Sequence, residues 1–228
     1  MKKTTIIING QAFTYDDEID DITYDNSKPL SYDDAKELLS LTKKLFVECG
    51  ISFSLAYGTL LGAVREHGLI PGDDDIDLMS FDEETLYNSL PYLSEHGLKV
   101  CRIHPYVYSF KNGKDCYIDV YPIRKFHGKI WKLWCYDMIN KAIPKRFFKR
   151  FEEIEFLGDK YNIPADYDGI LTSWYDKNWR IPVHGHGLWI VGEKSYHYWK
   201  IYYPRFKERV KKLILWRRWR SYVVKKHE

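Results

Sequence analysis

The chain has 228 residues, of which 45% are hydrophobic, 29% charged and 17% aromatic, so it can bury a real core and is too apolar for a disordered chain. Its apolar run at Ile6–Ile8 is too short for a signal-peptide core, and no stretch approaches the roughly 18 apolar residues of a membrane span, so a cytoplasmic protein is expected. The formal net charge of +3 hides an asymmetry: Asp16, Asp17, Glu18, Asp20, Asp21 and Asp25 make the start acidic, whereas residues 205–228 carry ten Lys or Arg against two Glu.

In chain order, residues 1–30 read as an N-terminal extension. Ser31 followed by Asp34 marks a helix start, and Leu38, Leu41, Leu45 and Cys49 recur at helical spacing until Gly50. "ISFSLAY" reads as a buried strand that Gly58 breaks, and Thr59 opens a short helix closed by Gly68. "DDDIDLMS" is expected as a second strand and "DEETLYNSLPYLSEHG" as helix interrupted by Pro91. "LKVCRI", "YVYSFKN" and "CYIDVYPI" alternate as strands, with Asn112–Lys114 as a turn. Helical, irregular patterning is expected from about Trp131. The class is α+β (α/β): a small mixed sheet flanked by helices over residues 31–125, a mostly helical part over 126–204, and a basic amphipathic tail over 205–228. Cys49, Cys101, Cys116 and Cys135 lack any C-x-x-C spacing, which suggests reduced thiols without a zinc site or disulfide framework.

The chemistry concentrates in "YGTLLGAVREHGLIPGDDDIDLM", where Asp73, Asp74, Asp75 and Asp77 fall within five residues. Carboxylates this close repel one another unless a cation sits among them. On a strand, Asp73, Asp75 and Asp77 would share one face and Asp74 the other. Asp119, between Ile118 and Val120, is a second charge in an apolar strand, costly unless paired. If its strand lies beside the first, it joins the same site. Magnesium, or manganese, suits such ligands, since these ions are held by a few carboxylates together with substrate phosphates. Gly58 and Thr59 at a strand-to-helix turn suit an anion, because glycine admits a ligand to the backbone and helix amides favour negative charge. Arg65 would reach the same phosphates. A calcium loop is the competing reading, but its glycine position is Leu78.

"YGTLLGAVREHGLIPGDDDIDL" closely resembles the signature of the LicD family, the phosphocholine-transferase-like proteins that include the fukutin-related group. "YIDVYPI" resembles that family's second motif, and a weaker likeness continues through "LGDKYNIPADYDGILTSWYDKNWRIP", so that the resemblance spans residues 31–182. It implies a polymerase-β-like nucleotidyltransferase fold, with Gly58 and Thr59 on donor phosphates, Asp75, Asp77 and Asp119 on magnesium and Asp73 as an additional acid. The implied reaction moves a phosphorylated small alcohol, such as phosphocholine or ribitol phosphate, from a CDP-activated donor to a hydroxyl of a cell-surface glycan or its lipid-linked precursor, with CMP leaving. Two positions depart from the family pattern: Gly72 replaces the usual tryptophan and Asp176 the usual glycine.

His184 and His186 lack a third ligand for zinc, and Trp174, Tyr175 and Trp179 are expected mostly in the core. The tail combines Trp216 and Trp219 with Arg217, Arg218 and Arg220, which suits peripheral contact with an anionic membrane at the inner face of the cell membrane; nucleic acid is not expected. The alternatives to phosphoalcohol transfer are transfer of a whole nucleotide and a catalytically inactive, membrane-associated scaffold of the same fold. Intact Asp75, Asp77 and Asp119 disfavour the last.

Overall fold

The computed structural model describes residues 2–18, 28–114, 116–125, 134–138 and 141–182, the side chains of 125–143 aside. One compact unit takes in residues 1–167, and a second begins at Asp168.

The first unit is built on a five-stranded mixed sheet. Its strands are β3 (Phe53–Leu55), β4 (Ile76–Ser80), β5 (Lys99–His104), β6 (Val107–Lys111) and β7 (Ile118–Pro122), in the order β3-β4-β7-β6-β5. Only β4 and β7 run parallel. Alternation gives the sheet two unlike faces. One presents Leu55, Ile76, Leu78, Phe110, Ile118 and Val120, all buried. Against it packs α1 (Tyr32–Glu48), whose Phe46 meets Phe53 and Phe110 edge to face at 5.4 and 6.3 Å. As the sequence suggests, Ser31 caps α1 by accepting from the Asp34 amide at 3.1 Å.

α2 (Tyr57–Arg65) follows β3 directly. After β4, α3 (Glu83–Asn88) and α4 (Leu90–Glu95) meet at Ser89, with Pro91 in the first turn of α4, where a missing amide costs nothing.

Three findings correct the sequence reading. The N-terminal extension holds a hairpin, β1 (Lys2–Ile8) and β2 (Gln11–Asp17), turned at Asn9 and Gly10 with φ of 50° and 77°. An Asn-Gly pair between alternating apolar runs is the strongest local hairpin signal, and it was there to be read. After β8 (Arg124–Lys125), the region expected to be helical instead holds β9 (Trp134–Met138), β10 (Lys141–Pro144), a 3-10 turn (Lys145–Phe148), and the hairpin of β11 (Phe151–Phe156) and β12 (Asp159–Pro164). Leu157 and Gly158, both at positive φ, turn that last hairpin. Finally, β4 begins at Ile76, so Asp73 to Asp75 lie in the loop before it.

In the second unit α5 (Tyr167–Tyr175) contributes buried Ile170, Leu171 and Trp174. Trp179 is also buried and donates through Nε1 to Asp168 at 3.2 Å. Asp176 sits at φ 74°, a conformation Asp tolerates better than most residues. His184, His186 and the basic tail lie outside the described residues.

The close approach of α2 to the loop after it depends on Gly62, where a Cβ would stand 2.6 Å from the Gly68 carbonyl oxygen. Gly62→Ala is expected to cost about 1–3 kcal/mol by overpacking; an unchanged denaturant midpoint would show that the loop gives way freely.

Candidate active site

Register makes the site. Asp77 on β4 stands opposite Asp119 on parallel β7, Asp119 opposite Ser109 on β6, and Ser109 opposite Arg102 on β5. Four polar side chains thus form one row across the face opposite α1. The row reaches β5 through a register shift between Val100 and Arg102, a bulge that brings Arg102, where unbroken pairing would bring Cys101, opposite Ser109. Arg102 donates from Nη2 to Asp119 Oδ2 at 2.5 Å and from Nε to Ser109 Oγ at 2.7 Å. Ser109 donates to Asp119 Oδ1 at 2.5 Å, and the Tyr121 hydroxyl to Oδ2 at 3.3 Å. Asp119 is therefore held at both oxygens.

The β3–α2 junction grips Asp77 from the other side. The Ala56 amide donates to the Asp77 carbonyl at 3.0 Å, the Asp77 amide to Thr59 Oγ1 at 2.8 Å, and the Gly58 amide to Asp77 Oδ2 at 2.9 Å. Tyr57 adopts φ 36° at this turn, with its ring 4.9 Å from that of Tyr121; positive φ at a bulky residue is strain of the kind found at functional sites. A Cβ on Gly58 would lie 3.1 Å from Asp73 Oδ2 and 3.3 Å from Asp77 Oδ2. A side chain there would crowd two carboxylates that converge beside the Gly58 α-carbon.

The loop adds the remaining acids. Asp73, Asp74 and Asp75 each place a carboxylate oxygen within 4.8 Å of the others. Its course is fixed by the Asp73 amide donating to the Ile70 carbonyl at 3.0 Å and the Leu30 amide to the Asp73 carbonyl at 2.7 Å. Burial, followed by Asp74, pushes Asp73 up to about 6. Burial raises Asp75 well above the usual carboxylate range, with Asp77 and Asp119 adding repulsion. Asp77 rises for the same reason, with Asp73 and Asp119 adding to it. Asp119 is raised by burial even though Arg102 and Ser109 pull the other way. Arg102 is the one cation these ion pairs bring to the cluster among the described residues. Hard oxygen donors, buried at Asp77 and Asp119 and half-buried on the loop, with few local cations to offset them, fit a hard divalent cation.

A family model described as LicD/FKTN/FKRP, nucleotidyltransferase domain, matches residues 50–166, just over half of the chain. The chain belongs to this family. Among similar proteins, the ribitol-5-phosphate transferase FKTN of Mus musculus is 28% identical over 156 residues, 65% of this chain and 34% of that protein. The uncharacterized protein RP689 of Rickettsia prowazekii is 30% identical over 151 residues, 61% of this chain and 53% of that protein. The chain thus spans about a third of FKTN and about half of RP689. Among solved structures, the lincosamide antibiotic adenylyltransferase LnuA aligns at TM-score 0.43 and 16% identity over 67% of this chain and 97% of its own. The antibiotic-resistance factor ANT(2'')-Ia aligns at TM-score 0.46 and 15% identity over 84% and 96%.

In this LicD-family chain the residues singled out from sequence divide into two groups. Asp73, Asp75, Asp77, Asp119, Gly58 and Thr59 converge as expected, except that Asp73 and Asp75 reach the cluster from the loop before β4 instead of sharing its strand face with Asp77. Asp74, expected on the opposite face, belongs to the same cluster. Thr59 is buried with its oxygen on the Asp77 amide, which locks the junction. Arg65 stands at the far end of α2, about 10 Å along the axis from Gly58, and pairs with Glu66 at 2.6 Å. Sequence reasoning missed Arg102, Ser109 and Tyr121. A charge in the middle of "LKVCRIH" was the available signal for Arg102, by the argument that singled out Asp119.

Asp73 yields a signed prediction. Because its folded pKa of about 6 exceeds the unfolded value near 3.9, its contribution to stability is complete below about pH 4 and is lost as pH rises through about 6. In chelator the melting temperature should fall across that window, and added magnesium should restore it increasingly as pH rises. A chelated protein that gains stability from pH 5 to 7, with no magnesium response, would sink the reading.

Proposed function

We propose that this protein transfers a phosphorylated small alcohol from a CDP-activated donor to a hydroxyl of a glycan or its lipid-linked precursor. The observation that carries the reading is the side-by-side pairing of Asp77 with Asp119 next to the Gly58 junction, inside a domain matched to the LicD family. Similarity to a ribitol-5-phosphate transferase supports a phosphoalcohol as the transferred group.

In this reading the acceptor oxygen forms a new bond to the donor's alcohol-bearing phosphorus. The bond from that phosphorus to the pyrophosphate bridging oxygen breaks, and its electron pair leaves with CMP. The acceptor's proton passes to Asp119 or a nearby carboxylate of the cluster. Asp73, Asp75, Asp77 and Asp119 would hold magnesium or manganese, which when bound supplies charge neutralisation of the donor phosphates. Gly58 leaves room for close approach at the α2 N-terminus, and Arg102 keeps Asp119 in place. The interior of the row supplies a rigid, water-poor setting, since Asp77 and Asp119 are only 7% and 4% exposed.

No described helix is long and apolar enough to cross a membrane, which leaves the proposed peripheral membrane contact of residues 205–228 to be tested on the tail itself. The matching family model is described as a nucleotidyltransferase domain, and transfer of a whole nucleotide, the alternative reading, differs only in which phosphorus is attacked.

Thermal shift with CDP-choline, CDP-ribitol, CDP-glycerol, CTP and UDP-sugars, each with and without magnesium, separates these readings. Magnesium-dependent stabilisation by one CDP-alcohol is expected, lost in Asp75→Asn and Asp119→Asn, with transfer to acceptor reduced about 100-fold or more in both. Stabilisation by CTP with nucleotide in the product would overturn phosphoalcohol transfer in favour of nucleotidyl transfer. No response to any nucleotide would leave the inactive scaffold.

A further inference from the structure

Arg102 is a half-buried cation whose donors are only partly used. Its side chain is 16% exposed. Of the five N–H groups of a guanidinium, two are committed, Nε to Ser109 Oγ and Nη2 to Asp119 Oδ2. The other three have no acceptor among the described residues. No Arg102 nitrogen is among the described buried polar atoms left without a partner, so the unused donors keep contact with solvent, and donors at such an edge are open to an anionic ligand. Its position is not incidental either. A bulge in β5 breaks the ladder at the one point that brings Arg102, not its neighbour, into the acidic row, and bulges recur where a side chain is re-aimed at a site.

Arg65, the residue expected to meet phosphate, lies at the other end of α2 with Glu66. We propose that Arg102 is the phosphate-binding cation of this site: it orients Asp119 through Nη2 and offers its remaining donors to a phosphoryl oxygen of the donor. The ligand class is a pyrophosphate-containing compound, and the inference rests on the phosphoalcohol-transfer reading for the identity of that compound. Ser109 is the brace. By accepting from Arg102 Nε and donating to Asp119 Oδ1, it fixes the guanidinium plane relative to the carboxylate. Lysine would carry the charge without the two-point fork, so it can replace arginine only in part.

The test is calorimetric titration of magnesium pyrophosphate, and separately of CDP-ribitol and CDP-choline with magnesium, into the full chain and into Arg102→Met, Arg102→Lys and Ser109→Ala. Circular dichroism melts establish folding. Folded Arg102→Met is expected to bind magnesium pyrophosphate about tenfold or more weakly, as for loss of a charge-assisted hydrogen bond. Arg102→Lys should recover part of that and Ser109→Ala should fall between them. A purely structural role would lower melting temperature but leave the affinity of the folded variant unchanged, and that result overturns the proposal. If Arg102→Met does not fold, Arg102→Lys and Ser109→Ala decide: wild-type affinity in both overturns it, weakened affinity in both upholds it. Wild-type protein that binds magnesium pyrophosphate through Arg102 but no CDP-alcohol sinks the donor assignment alone. CDP-alcohol binding that ignores all three substitutions sinks the Arg102 assignment alone, and no binding of magnesium pyrophosphate to wild type sinks both.

Discussion

Everything in this protein is arranged around the parallel pairing of β4 with β7, which sets Asp77 beside Asp119 in a buried sheet. Neighbouring strands lie about 4.8 Å apart, and two like charges about 5 Å apart repel by about 3 kcal/mol at an effective dielectric near 20. No sheet would place them so without compensation. Part of that compensation is inside the chain. Arg102 and Ser109 hold Asp119, and the Gly58 amide holds Asp77. The remainder falls to the loop acids and to whatever cation they recruit. Local stability is given up at the row, and the opposite face restores it with a continuous apolar surface under α1.

The geometry also explains why the site needs so many separate elements. A strand-to-helix junction supplies backbone amides, a loop supplies three acids, and three further strands supply Asp119, Ser109 and Arg102. Each element holds its residue through hydrogen bonds to another. The Asp77 amide on Thr59 and the Ala56 amide on the Asp77 carbonyl make the junction and β4 a single rigid piece. Rigidity of this kind matters for phosphoryl chemistry, where positioning and charge stabilisation do most of the work.

Much of this was legible in the chain. Ser31 as a cap, Pro91 as a helix break, Asn112–Lys114 as a turn and the strand character of "YIDVYPI" follow from local steric and hydrogen-bonding rules, and the structure has all of them. A buried aspartate between Ile118 and Val120 announced a partner without naming it. Other features were present and went unread. Asn9-Gly10 marks a hairpin, and the alternation in "FEEIEF" and "DKYNIP" marks another. The start of β4 was misplaced because periodicity alone cannot say where a strand stops hydrogen-bonding.

The sequence by itself determined the chemistry: which residues carry charge in apolar surroundings, that carboxylates outnumber local cations, and that a glycine precedes the helix. These are properties of neighbours along the chain, and the physics of burial makes them readable. Only the tertiary structure decided which charges meet. Arg65 and Arg102 are equally cationic on paper, yet one ends beside Glu66 and the other beside Asp119. Arg102 reaches the row through a single-residue register shift between β5 and β6, and strand register depends on the packing of the whole sheet as well as on the local pattern.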